Sequence, residues 1–314
     1  MSRVSPSVGT GIALSLVSLA LLGIMPIISN LRPAVMGALP FAFALSVWQL
    51  IFALPCFAVE YRSRTRGIFA MRLSSRQRRR MGGVAMFTGS LFGLSTYLYV
   101  IGVEQAGAAN AAIAIQAYPL FAILWESLFL KRRKTPAELT LTALLLTALY
   151  YLGTDGTLRM SGLSPWFLLA LGVPFLWSIA HVLIKEELSS TPITPIQVTL
   201  IRVAISSVFL GAVLVLVLPS GAMLGFAALM QPMAVLMGLV YFLELIVWFY
   251  AVRHIDVSLA SSITTPWPAL TLALSVPLLG DRIEPRQVAV LVVVVACIYG
   301  LTLVGLRRAK RINV

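Results

Sequence analysis

Ten stretches of this chain, each about twenty residues long and nearly free of charge, follow one another with short connections. A helix needs about 20 mainly apolar residues to cross a bilayer, and so many apolar runs cannot all be buried against one another in water. Only 11% of the 314 residues are charged and the mean hydropathy is +0.94, too little charge to cover a water-facing surface. The predicted spans are 11–30, 38–58, 83–102, 108–129, 137–153, 165–184, 196–218, 231–252, 258–279 and 287–306. They are solidly apolar rather than alternating, which argues for helices over a closed barrel. Little chain remains between them for a soluble catalytic domain. The first run lacks a clear small-residue cleavage site, so it reads as a retained transmembrane helix rather than a signal peptide.

The net charge of +13 is clustered between the apolar runs rather than spread as in a nucleic-acid-binding chain. If the N-terminus lies inside, the inner loops and termini hold nineteen Lys and Arg residues, including the run Arg62 to Arg80, Lys131 to Lys134 and the tail Arg307 to Arg311. The outer loops hold four: Arg32, Arg159, Arg282 and Arg286. The positive-inside rule then predicts both termini in the cytoplasm of a bacterium, the chain lying in its inner membrane. Cys56 and Cys297 both fall inside apolar runs, where neither a disulfide framework nor a metal site is expected.

The chain repeats itself. A shift of 149 positions lays spans three to five on spans eight to ten without a gap. Val103 meets Val252, Pro119 meets Pro268, Pro136 meets Pro285 and Tyr150 meets Tyr299. Five helices is an odd number, so the two units, 1–155 and 156–314, must insert with opposite topology. The expected fold is an all-α membrane protein of ten helices in two inverted five-helix repeats, an architecture used by transporters with a site at mid-membrane.

These residues resemble the drug/metabolite transporter superfamily, in its ten-helix EamA-type branch. The stretch Ser258 to Gln287 carries the resemblance, with small residues, mid-helix prolines and the turn Leu279-Gly280-Asp281-Arg282 before the last helix. The first half echoes it over Ala108 to Pro136, with Lys131 to Lys134 in place of the Gly-acid-Arg turn. Arg202 stands where the family often has an arginine in the second helix of a repeat, and its first-half counterpart reads as Gln49. The resemblance implies a secondary transporter, an exporter of amino acids or drug-like amphipathic molecules, akin to the aromatic-amino-acid exporters. The same scaffold carries many substrates.

Ionisable groups within spans mark candidate sites, since each costs roughly 2.5–3.5 kcal/mol to insert. Glu244, near the middle of its span, is the first candidate for binding a cationic group or a proton; the alternative is a hydrogen bond between helices. Arg202 suits a substrate carboxylate, or equally the inner headgroups or an acidic partner such as Glu244 or Glu126. Glu126 and His181 read more simply as interface residues near Lys131 and Lys185. Deep Tyr and Trp side chains need partners for their polar atoms, so Tyr97, Tyr118, Trp177, Trp248 and Trp267 are candidates for an aromatic pathway wall. Pro26, Pro55, Pro119, Pro174, Pro266, Pro268 and Pro277 fall within spans, where each removes an intrahelical bond and either kinks its helix for packing or frees a carbonyl toward a cavity.

No phosphate loop, His-Glu-x-x-His, Gly-x-Ser-x-Gly or Cys-x-x-Cys occurs. The expected partners are a small-molecule substrate and membrane lipids, with no cofactor, metal, ATP or nucleic acid. The driving force expected is a gradient of proton, ion or counter-substrate, and the assembly a monomer or homodimer. The competing functions are a flippase for a lipid-linked sugar and a membrane-embedded lipid enzyme, the latter disfavoured by only two histidines and dispersed acids.

Overall fold

The computed structural model describes residues 8–63, 67–70, 74–118, 120–121, 124–125, 135–217, 226–255, 260 and 263–312. Among the described residues, ten α-helices of eight or more residues carry the fold. They are α1 (Val8–Asn30), α2 (Ala38–Arg62), α3 (Ser75–Ala106), α4 (Ala108–Ile115) and α5 (Pro136–Gly153) in the first repeat. The second repeat has α6 (Pro165–Ser190), α7 (Pro195–Val217), α8 (Pro232–His254), α9 (Trp267–Leu279) and α10 (Pro285–Ile312). Seven are long and apolar enough to cross a membrane alone; the apolar part of α6, Pro165–His181, and all of α9 are shorter. Glu126, Pro119 and Lys131 to Lys134 lie outside the described residues.

Several helices outrun the apolar runs that predict them. Helix α3 starts at Ser75, eight residues before the expected span, because Ser74 and Gln77 form a capping box. The Ser74 Oγ accepts from the Gln77 amide at 3.3 Å, and Gln77 Oε1 accepts from the Ser74 amide at 3.0 Å. Two of the orphan donors of a helix start are thereby satisfied, so the arginine-bearing segment 76–80 is helical although hydropathy gives it no span. Thr135 and Glu138 cap α5 in the same way. Gly280 ends α9 with φ +71°, the left-handed conformation that glycine adopts without Cβ strain.

The helix pairs obey the inverted repeat. Helix α1 packs on α8 as α6 packs on α3, and α1 packs on α9 as α6 packs on α4. The pairs α2–α7 and α5–α10 each join an element to its own counterpart. Helices approach closely at paired glycines: a Cβ on Gly89 would meet Ile205 Cβ at 2.6 Å, and one on Gly238 would meet Trp48 Cβ at 2.5 Å. These contacts make Trp48 the counterpart of Ile205. Gln49 therefore corresponds to Ser206 rather than to Arg202, whose counterpart is the fully buried Leu45. A register taken from residue type alone had set Gln49 against Arg202.

Neither α4 nor α9 belongs to an unbroken helix. Residues 116–117 form a turn after α4, and Tyr118, Leu120 and Phe121 are helical again. Residues 263–264 are helical, 265–266 form a turn, and α9 begins at Trp267. A shift of 149 superposes the two breaks. Pro268 has no amide hydrogen to give the carbonyl four residues back, and Pro266 has none either.

Candidate functional site

The centre of the molecule lies where α3, α6, α7 and α8 meet. Arg202 on α7 is only 4% exposed. Its guanidinium carbon lies 3.4 Å from the centroid of the Phe92 ring and 5.8 Å from that of Tyr241. Its Nη2 donates to the Tyr241 hydroxyl at 3.3 Å, while Nε and Nη1 are buried with no hydrogen-bond partner among the described residues. Phe92 and Tyr241 are counterparts under the 149-residue shift, so the cation sits close to the axis that relates the repeats. A ring face is a favourable neighbour for a desolvated cation, but it supplies no acceptor for the free N–H groups.

One turn beyond, the repeats diverge. Ser95 on α3 corresponds to Glu244 on α8. The Trp177 indole donates to Ser95 Oγ at 3.0 Å across the α3–α6 contact. In the matching α8–α1 contact, Ser18 Oγ donates to Glu244 Oε1 at 2.9 Å. Glu244 is 7% exposed and makes this hydrogen bond with Ser18, not with Arg202. Arg202 and Glu244 therefore both come from the second repeat.

His181 lies within this centre instead of at a headgroup interface. Its ring centroid is 5.5 Å from Phe92, 5.8 Å from Tyr118 and 6.4 Å from Trp177. Phe92 thus lies beside both basic side chains, and Tyr118, at the restart of the broken helix, lies beside the histidine. Trp248 lies one turn from Glu244 along the same face of α8 and is partly buried. Trp267 is buried where α9 begins. Tyr97 is partly buried, but falls off the α3 face that carries Phe92, Ser95 and Tyr99. Of the seven residues predicted from sequence, Arg202, Tyr118 and Trp177 join one contiguous cluster and Glu244 flanks it. Sequence reasoning set His181 at an interface and missed Phe92 and Ser18, although the 149-residue shift does set Phe92 opposite Tyr241.

A cavity of about 380 Å³ leads from the face where α3 begins to Arg202, between α3, α6 and α7. Its walls are almost wholly apolar, and Arg78 stands at its outer end. Across the opposite face the repeats are tied together. There Gln287 Nε2 donates to Asn110 Oδ1 at 2.9 Å, and Arg286 pairs with Asp155 at 3.1 Å. Arg32 and Glu104 form a further ion pair on that face.

Two inverted five-helix repeats, broken helices at their junction and a charged, aromatic centre define an integral membrane protein of the drug/metabolite transporter type. The EamA-like transporter family model matches residues 9–154 and 164–303, once per repeat, and the chain belongs to that family. A solved crystal structure with 18% sequence identity overlays 98% of this chain and 100% of its own at a TM-score of 0.57. At that identity the likeness is one of fold. No curated protein matches the chain.

Proposed function

We propose that this protein exports small amphipathic metabolites, such as amino acids or drug-like molecules, across the bacterial inner membrane by alternating access. The observation that carries the reading is Arg202: a buried cation near the repeat axis, flanked by counterpart rings, with two N–H donors unused. A structural arginine in a low-dielectric interior would be expected to have its donors taken. An arginine that waits for a ligand has some of them free.

In this reading the units 1–155 and 156–314 rock against each other, with the breaks in α4 and α9 as the points of bending. Both termini face the cytoplasm, so the cavity that ends at Arg202 is the cytoplasmic entrance. Arg202, Glu244, Tyr118, Trp177, Trp248 and Trp267 line the pathway, joined by Phe92, Tyr241 and His181. The Asn110–Gln287 and Arg286–Asp155 contacts then belong to the periplasmic closure. Aromatic walls favour flat or amphipathic substrates, in keeping with the resemblance to aromatic-amino-acid exporters. A gradient of proton, ion or counter-substrate drives the cycle.

The test is flux in proteoliposomes holding the purified protein, with aromatic, aliphatic and cationic compounds, with and without a pH gradient. Saturable flux of one class, lost in Arg202→Gln and Glu244→Gln, is the expected result. Absence of flux for every class, in protein that is folded and reconstituted, would refute the reading.

A further inference from the structure

We propose that the cavity ending at Arg202 binds an amphipathic monocarboxylate, its acid group on the arginine and its apolar body along α3, α6 and α7. The inference deepens the transporter reading by naming the substrate class of the same site, and it rests on that reading.

The wall chemistry selects the ligand. Val84 on α3, Ile184 on α6, and Ile201 and Ile205 on α7 form apolar sides that reward a hydrocarbon or aryl body. Thr88 is the one hydroxyl residue of the wall among the described residues, and its Oγ1 already donates to the Val84 carbonyl at 2.8 Å. A sugar would thus find almost no partners for its hydroxyls, and each one buried without a partner is costly.

Among the described residues, the charged side chains lining the cavity are arginines, Arg78 at the outer end and Arg202 at the inner one. A cationic amine would be desolvated between like charges. An anion is attracted at the mouth and meets at the inner end a guanidinium whose Nε and Nη1 lack partners. A guanidinium gives a carboxylate charge-assisted hydrogen bonds, stronger than those it could give a neutral group. One cation at the inner end matches one negative charge, which disfavours a dianionic phosphate. The volume of about 380 Å³ falls at the lower end of ligand pockets, roughly 300–1,000 Å³, enough for a small aryl or alkyl acid. No α-amino group is required by this wall, so acids without one are included in the predicted class.

The experiment is calorimetric binding to the full-length protein in nanodiscs, using 4-phenylbutyrate with its matched amide and amine. The acid is expected to bind saturably, with the amide and amine roughly 10–100-fold weaker, the range of a charge-assisted hydrogen bond. Arg202→Gln is expected to remove that preference, and Arg202→Lys to keep much of it. Ile201→Trp, which fills the cavity, is expected to weaken binding of all three compounds. Equal binding of acid, amide and amine overturns the proposal. So does an acid preference that survives Arg202→Gln and disappears in Arg78→Gln, which would assign the anion to the surface. A parallel arm with dodecanoate separates the two sources of such an acid. Binding of 4-phenylbutyrate alone marks a soluble metabolite, and tighter binding of dodecanoate marks a fatty acid from the bilayer.

Flux keeps the two claims apart. Transport of the amine in preference to the acid overturns the carboxylate and leaves the transporter standing. Acid binding without flux of any compound does the reverse.

Discussion

Phe92 and Tyr241 occupy equivalent positions in the two repeats and flank the guanidinium of Arg202, at 3.4 Å and 5.8 Å from ring centroid to guanidinium carbon. The closer ring has no hydroxyl, and the farther one accepts from Nη2. One cation is thereby held by a face on one side and an oxygen on the other. Phe92→Leu keeps an apolar side chain but removes the ring face. We expect it to destabilise the protein by about 1–2 kcal/mol, the range of a desolvated cation–π contact. A double-mutant cycle with Arg202→Gln, read from thermal unfolding in detergent, should show that Phe92→Leu costs much less once the cation is gone.

The Ser18–Glu244 hydrogen bond joins α1 to α8 across the repeats. Ser18→Ala leaves a buried carboxylate short of a donor and should cost roughly 1–3 kcal/mol. In Glu244→Ala, where no acceptor remains, the further loss from Ser18→Ala should be near zero. Thermal unfolding of the two single variants and the double variant measures this, and additive losses would argue that the contact contributes little.

Gly238 and the pair Gly82–Gly83 predict opposite outcomes for one substitution. A Cβ at Gly238 would lie 2.9 Å from the Leu45 carbonyl oxygen and 2.5 Å from Trp48 Cβ, neither of which is the end of a flexible side chain. Gly238→Ala should destabilise by about 1–3 kcal/mol, as other overpacked cores do. Nothing lies within 4 Å of a Cβ at Gly82 or Gly83. There Gly→Ala inside α3 should leave the unfolding midpoint unchanged or raise it, by roughly 0.5–1 kcal/mol of stability.

Pro268 follows the break that precedes α9. Pro268→Ala restores a backbone donor in the first turn of α9, which a helix continuous across the break would use. If the break is a point of bending, this variant should keep or gain thermal stability while its transport rate falls. An unchanged rate of flux in proteoliposomes would remove the break from the transport cycle.

The spans and the repeat were legible because the physics behind them is periodic and cumulative: twenty apolar residues in a row, or prolines in register, leave a trace in the sequence. Helix ends were less so. The start of α3 is set by the Ser74–Gln77 cap in water, where hydropathy is silent. The breaks at 116–117 and 265–266 were announced by their prolines as kinks, without showing that the helices stop and restart. Arg202 and Glu244 stood out because a charge in an apolar run is rare. Phe92 did not, since a phenylalanine in a membrane span looks the same whether it meets lipid or a guanidinium. His181 misled for the opposite reason: nearness in sequence to Lys185 suggested an interface, and only the packing of α6 on α3 brings its ring beside Phe92 and Trp177.

The position of Arg202 near the repeat axis has an electrical meaning. In an inverted repeat that axis lies in the plane of the membrane, and rocking exchanges the two faces around it. A charge on the axis keeps its depth in both states, so the membrane potential does almost no work on it. A mobile charge crossing the whole field would gain or lose about 2.3 kcal/mol per 100 mV. Current recorded from such a carrier would therefore count the charges on its cargo and coupling ions, with little contribution from the buried cation that holds them.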